Sequence, residues 1–243
     1  MNGKLKKEVA DYFGQFSKDW KRGYRRLNTF KGRHRQRTVI KMVLSFAKSK
    51  NSRILDVGCG CGDQLEEYIK LGYNAVGVDI SETLIREGKK NKVLEKSLFL
   101  GDAEKLNFKD NAFDVISVID VIEHVPDRNK LLSECRRTLK CDGHIIITTP
   151  NKFCPWWFFR RAFISLFNLK NIDAPCDKEF SFRELKELVQ KNNLHVESIG
   201  CFSFIPPFSP AKLSFLFINL EKVIEKIPFF KNTGANICLI ATY

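Results

Sequence analysis

An apolar run that breaks into three alternating glycines, Ile54-Leu55-Asp56-Val57-Gly58-Cys59-Gly60-Cys61-Gly62, constrains this chain more than any other feature. A β-favouring stretch that ends in glycines and opens into a helical pattern is how a buried strand turns over a bound ligand. Gly58 and Gly60 have no Cβ, so the backbone there can approach a ligand closely. The helix start that follows presents N–H groups without intrahelical partners.

The pattern downstream repeats this unit. Periodicity predicts strands at residues 53–57, 75–78, 97–100, 113–119, 143–149, 194–201 and 236–243. Helices are expected at 64–71, from Ser81 to about Lys90, and at 127–139. One more starts after Ser181, where Glu184 stands three residues on as a capping box. Residues 113–119 are nearly all apolar, as a parallel strand covered on both faces should be. Strand and helix in alternation argue for an α/β fold with a doubly wound parallel sheet. The chain length of 243 residues suits one such domain.

Two cofactor classes compete for the glycine loop. A dinucleotide site wants its third glycine at position 63, where this chain has Asp63, and a carboxylate beside a pyrophosphate is repulsive. S-adenosylmethionine carries no phosphate but has an ammonium and a sulfonium, and Asp56 at the strand end is placed to help hold that cationic side. Asp79 ends the second strand, where a carboxylate can accept hydrogen bonds from both ribose hydroxyls. Asp102, after the third strand, can accept the adenine amino group, with the backbone of Ala103 at the ring edge.

LDVGCGCG, GVDIS, GDAEKLNF, FDVISVIDVIEHVPD and GHIIITTPN follow one another in this order. In this the chain resembles the class I S-adenosylmethionine-dependent methyltransferases, and within them the type 11 branch that includes quinone-biosynthesis enzymes. The resemblance covers residues 50–151 closely and the rest loosely. It implies a Rossmann-like seven-stranded sheet of order 3-2-1-4-5-7-6 with an antiparallel seventh strand. It also implies that Gly58, Asp79, Ile80, Asp102, Ala103 and Ile119 line the cofactor pocket. In the quinone relatives an arginine of the leading helix meets the cofactor carboxylate; Arg37 is the nearest candidate here, with Arg33 and Arg35 competing. One departure is Cys61, where the family usually has Gly or Thr between the last two glycines; it is small enough to fit.

Methyl transfer to a hydroxyl or phenol requires removal of a proton, and His124 is the candidate base. It follows the fourth strand in Asp120-Val121-Ile122-Glu123-His124, with Glu123 or Asp120 available to orient it. A histidine that packs the loop or only contacts the cofactor is the competing reading. His34, His144 and His195 read as structural. Ile205-Pro206-Pro207-Phe208, Pro175-Cys176 and Thr149-Pro150-Asn151 are like motifs of nucleic-acid methyltransferases or of turns, but the first two lie too late in the chain and the third reads as a strand exit. No metal-ligand spacing is present.

The net charge of +13 is concentrated in residues 1–50, which hold fifteen Lys or Arg against three Asp or Glu. Such an arm can meet the phosphates of an anionic membrane or of a nucleic acid. It is expected to be a separate, partly helical segment ahead of a domain spanning 51–243. Val39, Ile40, Val43, Leu44 and Ala47 form its apolar stripe. Residues 153–230 carry fourteen of the twenty-one phenylalanines, twelve of them in insertions near 152–172 and 202–232, together with Trp156 and Trp157. Aromatic surface of that extent in loops marks a hydrophobic binding pocket or a membrane-facing patch. No apolar stretch is long enough to span a membrane. The eight cysteines lack a disulfide or zinc pattern and read as reduced, which fits a cytoplasmic protein, peripheral at the inner face of the membrane. The expectation is methyl transfer from S-adenosylmethionine to oxygen of a small or lipid-linked hydrophobic acceptor. An RNA methyltransferase using the basic arm and an inactive cofactor-binding scaffold are the alternatives.

Overall fold

The computed structural model describes residues 2–20, 29–155, 174–204 and 232–243. Seven strands form one sheet: β1 (Arg53–Val57), β2 (Asn74–Asp79), β3 (Leu98–Leu100), β4 (Phe113–Ile119), β5 (Leu139–Pro150), β6 (His195–Phe202) and β7 (Asn236–Thr242). Their order is β3-β2-β1-β4-β5-β7-β6. The first five are parallel, and β7 runs antiparallel to both β5 and β6. The helices are α1 (Asn2–Gly14), α2 (Phe30–Leu44), α3 (Asp63–Lys70), α4 (Glu82–Gly88), α5 (Arg128–Thr138) and α6 (Phe182–Lys191).

Side-chain alternation along the strands divides the core into two faces. Leu55, Val57, Ile116, Val118, Ile145 and Ile147 meet Leu131, Leu132 and Cys135 of α5 and Leu185 and Val189 of α6. Ile54, Val115 and Ile146 point the other way, onto Val39, Ile40 and Val43 of α2 and Leu65 and Tyr68 of α3. Full burial of a side chain such as Val39 or Val43 contributes about 1.5–3 kcal/mol. α2 is therefore part of the body, and the boundary expected near residue 50 falls inside one packed unit.

Two elements depart from expectation by more than one residue. β5 begins at Leu139, four residues early, because the chain leaves α5 directly in an extended conformation and Leu139 pairs with Phe113. Ser81 stands at the N-cap of α4 but makes no capping bond with its side chain; its backbone N–H is instead held by Asp79 Oδ1 at 2.8 Å. α4 then ends at Gly88, not Lys90. At α6 the Ser181–Glu184 capping box is complete.

The aromatic excess of the second half is partly core. Phe180, Phe202 and Phe204 are buried, whereas Phe153 is 68% exposed. Trp156, Trp157 and the motif at 205–208 lie outside the described residues, as does most of both insertions. All eight cysteines are free thiols. No helix among the described residues is long and apolar enough to cross a membrane.

Candidate active site

A cavity opens at the carboxyl ends of β1, β2, β3 and β4. Its floor and walls are Gly58, Asp79 and Ile80, Gly101 to Glu104, Ile119 to Val121 and His124 to Pro126. This is where an open α/β sheet binds ligands, because the chain reverses its direction of winding between β1 and β4. The roof was not foreseen. Lys6, Val9 and Phe13 of α1, with Trp20 just beyond, complete the lining.

The glycine loop is shaped by what surrounds it. Gly58, Gly60 and Gly62 all have positive φ, a conformation that L side chains rarely adopt. A Cβ on Gly58 would stand 2.3 Å from Val121 Cγ2, and one on Gly60 would stand 2.6 Å from Trp20 Cζ2. The Gly60 N–H donates to Asp79 Oδ2 at 2.9 Å, so the loop is tied to the end of β2. Burial raises the Asp79 pKa, and the N–H groups of Ser81, Gly60 and Ile80 oppose that shift only in part.

Asp56 is not among the cavity residues. It is 4% exposed and accepts the Ser117 hydroxyl at 2.7 Å across the β1–β4 pair. It stands in register with Ser117, and the role expected for it at the cationic end finds no support among the residues lining the cavity.

At the far end of β3, Asp102 Oδ1 accepts the Glu104 N–H at 2.9 Å while its Oδ2 accepts Lys6 Nζ at 2.6 Å. Lys6 also pairs with Glu104 Oε2 at 2.6 Å. The Glu104 side chain is 2% exposed, and its Oε1 accepts the Asp127 N–H at 2.9 Å, ahead of α5. Burial alone lowers the Lys6 pKa, but its bonds and charge contact with Asp102 and Glu104 outweigh that and the net shift is upward. Sequence patterns carry no sign of this bridge, since Lys6 lies 96 residues from Asp102.

None of Arg33, Arg35 and Arg37 lines the cavity, but Arg35 is joined to its wall through Asp120. Its guanidinium forms an ion pair with Asp120 and lies over the Phe202 ring at 5.7 Å, and its Nε donates to Asn236 Oδ1 at 3.4 Å. Arg37 and Arg33 are exposed, and neither lines the cavity. Asp120 also accepts the Thr148 hydroxyl at 3.0 Å, and its own φ is +55°.

His124 lies at the other end of the cavity from Lys6. Phe13 meets its ring edge-on with centroids 4.9 Å apart. Its Nδ1 is 3.9 Å from Asp177 Oδ1 and makes no hydrogen bond among the described residues. Burial pushes its pKa down to about 4, with the Arg128 charge adding to the shift and Asp120 opposing it. Glu123 is 1% exposed and accepts the Thr149 hydroxyl at 3.0 Å. Burial first, then the Asp120 charge, raises its carboxyl well above the ordinary range. The imidazole thus lines the cavity in its neutral form, and the same burial makes it a weaker base than a free histidine.

Residues 55–147 match the family model described as "Methyltransferase domain". The chain is 30% identical over 153 residues to the ubiquinone biosynthesis O-methyltransferase of Coxiella burnetii, a match covering 61% of this chain and 64% of that protein. It is 29% identical over 221 residues to the protein of the same name from Pelagibacter ubique, covering 84% of this chain and 90% of the other. Among solved structures, a methyltransferase of Thermotoga maritima described as a possible histamine N-methyltransferase superposes with a TM-score of 0.62. It is 20% identical, with 96% of this chain and 99% of that one covered. With its strand order, its glycine loop and the acids that end β2 and follow β3, this chain carries a class I methyltransferase domain of the type 11 branch, whose cofactor is S-adenosylmethionine.

Proposed function

We propose that this chain transfers a methyl group from S-adenosylmethionine to oxygen of a small or lipid-linked hydrophobic acceptor. The observation that carries the reading is the cavity itself, with paired acids at one end and a neutral histidine at the other. Gly58 lines the cavity, and Val121 fills the place that a Cβ there would take. Asp79 and Asp102 are acceptors suited to ribose hydroxyls and to an adenine amino group, with Ile80 and Ile119 as apolar walls and Ala103 at the ring edge. When bound, the cofactor supplies a methyl group already activated on sulfur.

The protein's own work is then to align and to remove a proton. Gly58 and the turn after it bring the backbone against the cofactor. Ile119, Val121 and Val125 exclude water. His124 takes the acceptor's hydroxyl proton at one of its ring nitrogens, a step typically worth ~10²–10⁴-fold. The relatives' names include O-methyltransferases, which supports oxygen as the acceptor atom. The basic arm and the aromatic insertions support a hydrophobic acceptor presented at an anionic membrane surface. The RNA alternative is weaker, because Lys6 and Arg35 of the basic segment are spent on Asp102, Glu104 and Asp120.

Calorimetric titration of S-adenosylmethionine into the wild type and into Asp79→Ala tests the cofactor site. Micromolar binding that weakens at least tenfold in the variant is expected, a change of about 1.4 kcal/mol. A folded wild type that takes up no cofactor would refute the proposal. Co-sedimentation with anionic liposomes that fades at high salt is the corresponding expectation for the membrane, and no binding at low salt would remove that part alone.

A further inference from the structure

The roof of the cavity meets the body through apolar and charged contacts. Among the apolar contacts of α1 are Val9, which is 7% exposed, and Phe13, which joins Phe16 in packing against a small cluster of Trp20, Cys61 and Leu84. Tyr12 packs edge-on against Phe13 and Phe16. With α1 in place, Lys6, Val9 and Phe13 are part of the cavity wall.

Beside these apolar contacts stands a charged one. Lys6 Nζ lies 2.6 Å from Asp102 Oδ2 and 2.6 Å from Glu104 Oε2. The Lys6 side chain is 20% exposed and that of Glu104 is 2% exposed, so water screens the pair poorly. Charge-assisted bonds of this kind are roughly twice as strong as neutral ones. Asp102 belongs to the loop that follows β3, and Glu104 ties that loop to the N-cap of α5 through Asp127. The contact therefore joins α1 to the rim of the pocket.

We propose that Lys6 is a retention residue for the cofactor: its ammonium, bridging Asp102 and Glu104, latches α1 across the mouth of the cavity. The inference rests on the reading of that cavity as the S-adenosylmethionine site. Closing the latch does not take Asp102 away from the ligand. A carboxylate offers about four lone-pair positions, and Lys6 and the Glu104 N–H occupy two of them. Opening the latch frees α1 to lift, and Phe13 leaves the His124 ring with it.

The test has two readouts. Amide hydrogen exchange across residues 3–14 is measured on ligand-free wild type, Lys6→Met and Lys6→Arg. S-adenosylmethionine dissociation is measured by stopped-flow tryptophan fluorescence on the same proteins. In Lys6→Met the α1 amides should exchange about tenfold faster and the cofactor should leave about tenfold faster, with Lys6→Arg close to wild type in both. Glu104→Gln, which keeps the acceptor for Asp127 but removes the charge, should fall between them and serves if Lys6→Met does not fold. Unchanged exchange and unchanged dissociation in Lys6→Met overturn the latch. Tighter cofactor binding in that variant also overturns it, since Lys6 would then be a competitor for Asp102. A wild type that binds no S-adenosylmethionine overturns the cofactor reading and the retention role, while the exchange of α1 still decides whether Lys6 holds the helix down.

Discussion

Arg35 of α2 and Asp120 at the end of β4 form an ion pair, 85 residues apart in sequence, with both side chains 21% exposed. The pair fixes the leading helix against the strand that borders the cavity, and Asn236 of β7 is drawn in at 3.4 Å. Removing the guanidinium takes a charged partner from Asp120 while Thr148 stays hydrogen-bonded to it. Arg35→Ala is therefore expected to cost about 1–3 kcal/mol in urea unfolding. Arg37→Ala, on an exposed position, should stay within about 0.5 kcal/mol of wild type. Equal costs for the two would show that the ion pair is not formed in solution.

Gly58 tests the floor of the cavity. Alanine there meets Val121 at 2.3 Å and must hold φ at +71°, a conformation that costs a residue with a Cβ about 1–2 kcal/mol before any clash. Gly58→Ala should lose cofactor binding and lower the melting temperature. Val121→Ala in the same chain should recover part of both, because it removes the atoms that the new methyl meets. Calorimetric titration and thermal melts of the two variants check this, and full cofactor binding by Gly58→Ala would contradict the geometry.

His124 gives stability a pH dependence whose sign can be worked out. The folded chain holds it neutral to about pH 4, whereas the unfolded chain protonates it near 6.5. Protons therefore favour the unfolded state as pH falls from 6.5 to 4, and above that window the group contributes nothing. The loss reaches about 3 kcal/mol at most, at 1.36 kcal/mol per unit. His124→Gln should flatten the stability profile in that window. In the wild type, the acid limb of kcat/KM that belongs to His124 should lie near pH 4 and not near 6.5.

Glu123 has the opposite dependence. Its folded pKa is raised by burial and by Asp120, so the unfolded chain ionises first as pH climbs above 4.5. Stability is thus lost as pH rises from 4.5 toward the folded pKa. Glu123→Gln mimics the protonated acid in shape and can still pair with Thr149. It should raise the melting temperature at neutral pH while changing little at pH 4. A lower melting temperature at neutral pH would mean that the carboxylate is ionised and held by its neighbours.

The strands, the glycine loop and the acids at 79 and 102 were legible because each rests on local pattern. A parallel strand covered on both faces must be apolar, and a turn with positive φ beside a packed side chain must be glycine. The residue before such a turn is less certain from pattern alone: Asp56 reads as a ligand-side acid, yet strand alternation turns it toward Ser117. Arg35 could have been found. It precedes Val39 and Val43 by four and eight residues, so it lies on the apolar stripe of α2, while Arg37 stands about 200° away around the helix. Helical phase turns Arg35, and not Arg37, toward Asp120.

By itself, then, the sequence determined the α/β sheet, the strand-to-helix turn and the acids at the ends of β2 and β3, because periodicity and glycine chemistry act over a few residues. Only the tertiary structure decided that α1 roofs the cavity, that Lys6 bridges Asp102 and Glu104, and that His124 is held neutral. Those outcomes depend on contacts between segments about 100 residues apart and on how much water the packed chain excludes, and neither quantity is written in local pattern.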